Sequence, residues 1–350
     1  MVEWLAGNRI RGTSAEKPAL ALPSGSVGGW KELARTTLGS AGDTISVASL
    51  ADKRYYMVLG NHLPSGNFRT TYRFNGDTAS NYALRKSENG GAENAKIDQA
   101  LLEIGNEDTN TDYFDVSYLS NLSAQEKLMI NHNMRTGGSG AGNDPNRVEA
   151  VAKWDNTSSV INRIDAFNDQ GGNYASGSEV VVLEYDPADT HTTNFWEELA
   201  SVELGSASST LDSGTFTAKK YLWVQAYINA TTVDTGLTFN GDTGTNYARR
   251  WSDDGGSDGT ATGGNNIQVD RGNSTQFLNI FIVNNSANEK LGMYHTGTQN
   301  TAGAGNAPAR RELVFKWANT SAQITSMIFT KKGSGTDLQS GSIIKVWGSD

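Results

Sequence analysis

The 350-residue sequence contains no cysteine. A disulfide framework and any thiolate metal site are thereby excluded, and stability has to come from packing and backbone pairing. Proline is scarce at 6 residues while glycine reaches 39, so the chain is punctuated by tight turns rather than rigid linkers. No apolar stretch approaches the roughly 20 residues that cross a bilayer as a helix, and the opening MVEWLAGNRIRGTS lacks the continuous apolar core of a signal peptide. Basic residues are outnumbered, 29 against 38 acidic, and the net charge of −9 repels a phosphate backbone. Neither nucleic acid nor membrane is expected as a partner.

What is present is a pattern written twice. RFNGDTASNYALRKSENGG, from Arg73 to Gly91, returns as TFNGDTGTNYARRWSDDGG, from Thr238 to Gly256. WKEL at Trp30 returns as WEEL at Trp196, offset by 166, while EKL at Glu126 and KW at Lys153 return at Glu289 and Lys316, offset by 163. Solenoid repeats run to roughly 20–50 residues, so a period this long predicts that each copy is a whole domain. The boundaries read as an N-terminal arm over 1–26, a first repeat over 27–186, a connector over 187–191 and a second repeat over 192–350.

Within the copies the apolar residues alternate. KYLWVQAYI places Leu222, Val224, Ala226 and Ile228 on one parity and Tyr221, Trp223, Gln225 and Tyr227 on the other, the period of a β-strand. Phe277 to Val283 is apolar on both parities, which predicts a strand buried on both faces, whereas its counterpart FDVSYLS at Phe114 is more polar. No segment keeps a helical period over three turns. These runs predict an all-β chain of two tandem jelly-roll-like antiparallel β-sandwiches related by internal duplication, preceded by the arm.

Chemistry-bearing residues are few. FNGDT is first a turn signal, because Asn and Gly accept positive φ; its other reading is a calcium loop with Asp77 and Asp242 as the carboxylates, helped by Asn75, Ser80 and Asn81 or by Asn240, Thr245 and Asn246. No other cofactor is expected. The stretch SDDGGSDG at Ser252 reads as a solvated loop, and NTS at Asn156 and Asn319 as a turn. Trp154, Trp317, Trp30 and Trp196 are expected in the core, while Trp251, where the first copy has Lys86, is the candidate for an exposed ring that stacks on a sugar. His132 and His295 fall at equivalent places and read as structural, as no carboxylate stands near either at a telling spacing. Glu149 and Glu312 are matched acids on strands with no second acid assigned to either, so no enzyme site is expected. In the arm, Trp4, Leu5 and Ile10 are the side chains that could anchor against a neighbouring subunit.

The constellation of WKELARTTLGSAGDTISV, RFNGDTASNYA, NLSAQEKL, GSGAGNDPNRVEAVAKWDNTSSVI and SGSEVVVLEYD resembles a group of virion-associated proteins of marine bacteriophages and related environmental viruses. The resemblance covers both copies and the LAGNRIRGTSAEK leader. It implies a structural particle protein, a capsid, decoration, head-fibre or tail component, made in the host cytoplasm and located in the virion. Its partners would be copies of itself and other virion proteins. The alternative is a carbohydrate-binding module that recognises a host surface glycan.

Overall fold

The computed structural model describes residues 29–109, 111–186, 194–229, 234–269, 275–299 and 303–350, together with the short strands Glu3–Leu5 and Arg9–Arg11. All regular elements among these residues are β-strands. The two N-terminal strands pair as a hairpin with Trp4 opposite Ile10. The side chains of Trp4, Leu5 and Ile10, the rest of the arm and the connector at 187–191 lie outside the described residues.

Period-two alternation becomes two large sheets. In the first repeat eight strands lie in the order Asn94–Gln99, Tyr82–Glu88, Asn146–Trp154, Lys127–Arg135, Tyr113–Ser120, Tyr55–His62, Glu179–Tyr185, Lys31–Thr37. A smaller sheet of Thr44–Ala48, Arg163–Asn168 and Thr70–Phe74 packs against it. The second repeat keeps this order position by position, from Gly259–Gly264 through Tyr247–Asp253, Ala309–Trp317, Lys290–Thr298, Gln276–Val283, Tyr221–Ile228 and Ile343–Ser349 to Glu197–Glu203. Its smaller sheet is Thr210–Asp212, Met327–Lys332, Asp234–Phe239 and Ile267–Gln268. The chain is thus two jelly-roll-like sandwiches related by duplication. Each large sheet ends in an edge strand rich in charge, Lys31, Glu32 and Arg35 in one repeat and Glu197, Glu198 and Glu203 in the other.

Each sandwich has its own core, with Val58, Phe74, Tyr82 and Trp154 in the first and Val224, Phe239, Tyr247 and Trp317 at the matching places in the second. A third core lies between the repeats. There the outer parities meet, Met57, Leu59, Phe114 and Val116 of the first large sheet against Tyr221, Phe281, Leu291 and Met293 of the second. The seam explains one departure from expectation. Tyr113–Ser120 is buried along most of its length, because Phe114 and Val116 face the second repeat while Tyr113 and Leu119 face their own core. Asp115 on that strand is fully buried, and His62 at 2.9 Å, Tyr72 and Asn131 hold its carboxylate. In the second repeat, Gln276–Val283 is buried on both faces from Ile280 onward, and Phe277 is half exposed.

Candidate functional site

The repeated FNGDT motif is a turn locked from every side. Asn75 and Gly76 take positive φ, 55° and 68°, and Asp77 N bonds Phe74 O at 3.0 Å, which makes a type I′ turn. Asn240, Gly241 and Asp242 repeat it, with φ of 51° and 68° and a bond of 2.8 Å. Asn75 Oδ1 accepts from the backbone of Asn162 and Arg163, and its amide donates to Val160 O. The Asp77 carboxylate accepts from Ala79 N, the Asn81 amide and, at 2.8 Å, the indole of Trp154. Asp242 accepts from Gly244 N, the Asn246 amide and, at 2.7 Å, the indole of Trp317. Burial alone would raise both carboxyls, but these donors hold each of them below its usual range. The carboxylates of Asp77 and Asp242 and the amide oxygens of Asn75 and Asn240, expected to hold calcium, already accept hydrogen bonds, and Asn81 and Asn246 present amide nitrogens to the carboxylates.

Trp251 is half-buried rather than an exposed platform. Its ring packs on the second core, between the guanidinium groups of Arg249 and Arg311 at 5.0 and 5.5 Å from the ring centre. Gly259 leaves it room, because a Cβ there would come within 2.6 Å of the indole. The loop at Ser252 is also not merely solvated. Asp253 holds Arg311 at 2.8 Å, and Asp258 crosses the seam to hold Arg147 of the first repeat at 2.7 Å.

At the seam the structure gathers residues that are far apart in sequence. His132 lies directly opposite Glu149 on the neighbouring strand, and His295 opposite Glu312. Packing of the two large sheets brings the pairs together, so that the two imidazoles meet edge to face with ring centres 4.5 Å apart. Arg147 lies against both glutamates, 3.5 Å from Glu312. The cluster encloses a cavity of about 10 Å³, space for about one water. Burial pushes the Glu149 carboxyl up to about 7, with Arg147 opposing and Glu312 reinforcing the shift. Burial, then His295 and Arg147, push His132 down to about 3; burial lowers His295 as well, against the pull of Glu312. The expectation that no carboxylate stands near either histidine is corrected here: the acids are distant in sequence and adjacent in the sheet.

The seam uses different parts of the two large sheets. Leu291, Met293 and Val314 are 1%, 4% and 5% exposed beneath the first repeat, while their counterparts Leu128, Ile130 and Val151 are 57%, 50% and 51% exposed. Trp196, Tyr221 and Phe281 are likewise buried where Trp30, Tyr55 and Tyr118 are only partly covered. On the first repeat, Trp30, Tyr55, Tyr118, Leu128, Ile130 and Tyr185 line a groove of about 360 Å³ whose surface is almost wholly apolar.

No protein-family model matches the chain, and no curated protein matches it. Among solved structures, mouse laminin alpha1 chain domains LG4-5 share 11% identity with a TM-score of 0.17, over 92% of this chain and 91% of that one. Neisserial surface protein A shares 8% with a TM-score of 0.14, over 79% and 97%. Ail, the attachment invasion locus protein of Yersinia pestis, solved with the heparin analogue sucrose octasulfate, shares 6% with a TM-score of 0.13, over 80% and 99%. At these TM-scores none of the three carries an argument about role.

Proposed function

We propose that the chain is a structural subunit that acts by assembly, and that its docking face is the outer face of the first repeat's large sheet, occupied by a second copy of the chain. One observation carries this reading. At six matched positions the side chains are apolar in both repeats, buried in the second and left partly or largely uncovered in the first. A contiguous apolar face of this kind on a water-soluble sheet marks an interaction surface. The occupant that covers the same face within the chain is another copy of the fold, and a second chain presenting its own first repeat would pair face to face about a two-fold axis. Location in a virus particle rests on the sequence resemblance alone.

The groove also offers aromatic rings to a glycan. Apart from tyrosine hydroxyls and the Trp30 indole its polar lining side chain is Ser120, so it provides few of the hydrogen bonds that orient a sugar, and the assembly reading fits it better.

Light scattering coupled to size-exclusion chromatography tests the proposal. The full chain is expected to run as a dimer or larger species, and Leu128→Asp with Ile130→Asp is expected to run as a folded monomer. A strictly monomeric wild type, or a double variant with unchanged mass, overturns it. Removal of residues 1–26 separates the sources of contact: loss of assembly on that deletion alone assigns the docking to the arm instead, and binding to a glycan array that the double variant abolishes assigns the groove to sugar.

A further inference from the structure

We propose that His132, His295, Glu149 and Glu312 form a site for a divalent transition-metal ion, zinc above all, which ties the two repeats together across the seam. The proposal does not rest on the docking face, which adjoins it on the same side of the first sheet, Ile130 and Val151 lying two residues from His132 and Glu149.

The donor set comes first. Two imidazoles and carboxylate oxygens suit zinc and its neighbours in the first transition row, whereas calcium and magnesium prefer oxygen ligands alone. Placement comes second. Each histidine sits in register beside its glutamate on adjacent strands, so each repeat holds one His–Glu pair on rigid sheet rather than on a loop. The seam sets the two pairs face to face, and ligand atoms of His132, His295 and Glu149 all lie within 4.8 Å of one another. A tetrahedral ion with bonds of about 2.1 Å holds its ligands roughly 3.4 Å apart, so closing the site takes about an ångström of side-chain movement. The central cavity of about 10 Å³ accommodates one water-sized occupant.

Both rings are half-buried, which leaves an ion a path to them from solvent. Two guanidinium groups border the cluster: Arg147 pairs with Glu149 and with Asp258, the latter at 2.7 Å, and Arg310 donates to Glu312 at 2.6 Å. They orient the two carboxylates, and an incoming ion competes with them for the oxygens.

The test uses the full chain without an affinity tag, stripped with chelator and dialysed. Calorimetric titration with Zn²⁺ is expected to give one ion per chain, and a hundredfold excess over Kd is expected to raise Tm by roughly 4 °C. Mg²⁺ and Ca²⁺ are expected to leave Tm unchanged. His132→Gln and His295→Gln should each weaken Zn²⁺ binding at least tenfold, whereas His191→Gln should not. Absence of Zn²⁺ binding at micromolar concentration, or binding that both variants keep, overturns the proposal. Should either variant fail to fold by circular dichroism, Co²⁺ bound to the wild type decides: an intense visible band of a four-coordinate ion supports the site, and the weak spectrum of hydrated Co²⁺ rejects it.

Discussion

Asp77 and Trp154, with their counterparts Asp242 and Trp317, show why one short motif is written twice. Each carboxylate receives the indole proton of a fully buried tryptophan while also closing its own turn. Removing it leaves that indole without a partner. Asp77→Ala and Asp242→Ala are each expected to lower stability by about 1–3 kcal/mol, read by urea denaturation. A second carboxylate has a different signature. Asp112 lies in the seam, where burial pushes it up to about 6 and the Asn288 amide, at 3.0 Å, only partly offsets this. Its folded-state value exceeds the unfolded one, so its contribution is complete below about pH 3.8 and lost as pH rises through about 6. Asp112→Asn is therefore expected to leave stability unchanged near pH 4 and to raise it by roughly 1–3 kcal/mol at pH 8. Denaturant midpoints at the two pH values check the sign.

At the scale of the strand, alternation made the β class, the duplication and the inner cores legible. Val224 and Trp223 differ in parity, and they do face different cores. What alternation could not reveal is which outer parity meets another sheet. Leu128 and Leu291 are the same residue in the same motif, one exposed and one buried, because the difference arises from how the repeats dock and not from local pattern. The His–Glu cluster was hidden for a similar reason. Its members lie on separate strands of separate repeats, and the only trace in sequence was the common offset of 163 between His132 and His295 and between Glu149 and Glu312. Trp251 misled because a tryptophan replacing a lysine suggested exposure, whereas the arginines flanking it and the bare Gly259 behind it make a slot. Ile130 and Met293 offer a matched contrast. Met293→Asp buries an unpaired charge and is expected to destabilise the chain by about 3 kcal/mol or more, while Ile130→Asp is expected to change monomer stability by less than about 1 kcal/mol.

For the molecule as a whole, the third core joins the two sandwiches into one unit. Polar contacts reinforce it: the Lys316 ammonium, fully buried, donates to Thr136 O at 3.0 Å, and the Tyr221 hydroxyl donates to Glu179 at 2.9 Å across the seam. Calorimetry is expected to show a single unfolding transition for the wild type and two for Met293→Asp, in which each repeat melts by itself. The charged borders of the large sheets carry a further consequence. A neighbour cannot extend a sheet past Lys31, Glu32 and Arg35, or past Glu197, Glu198 and Glu203, without burying those charges beside its own backbone, so growth by strand addition into fibres is blocked at these borders.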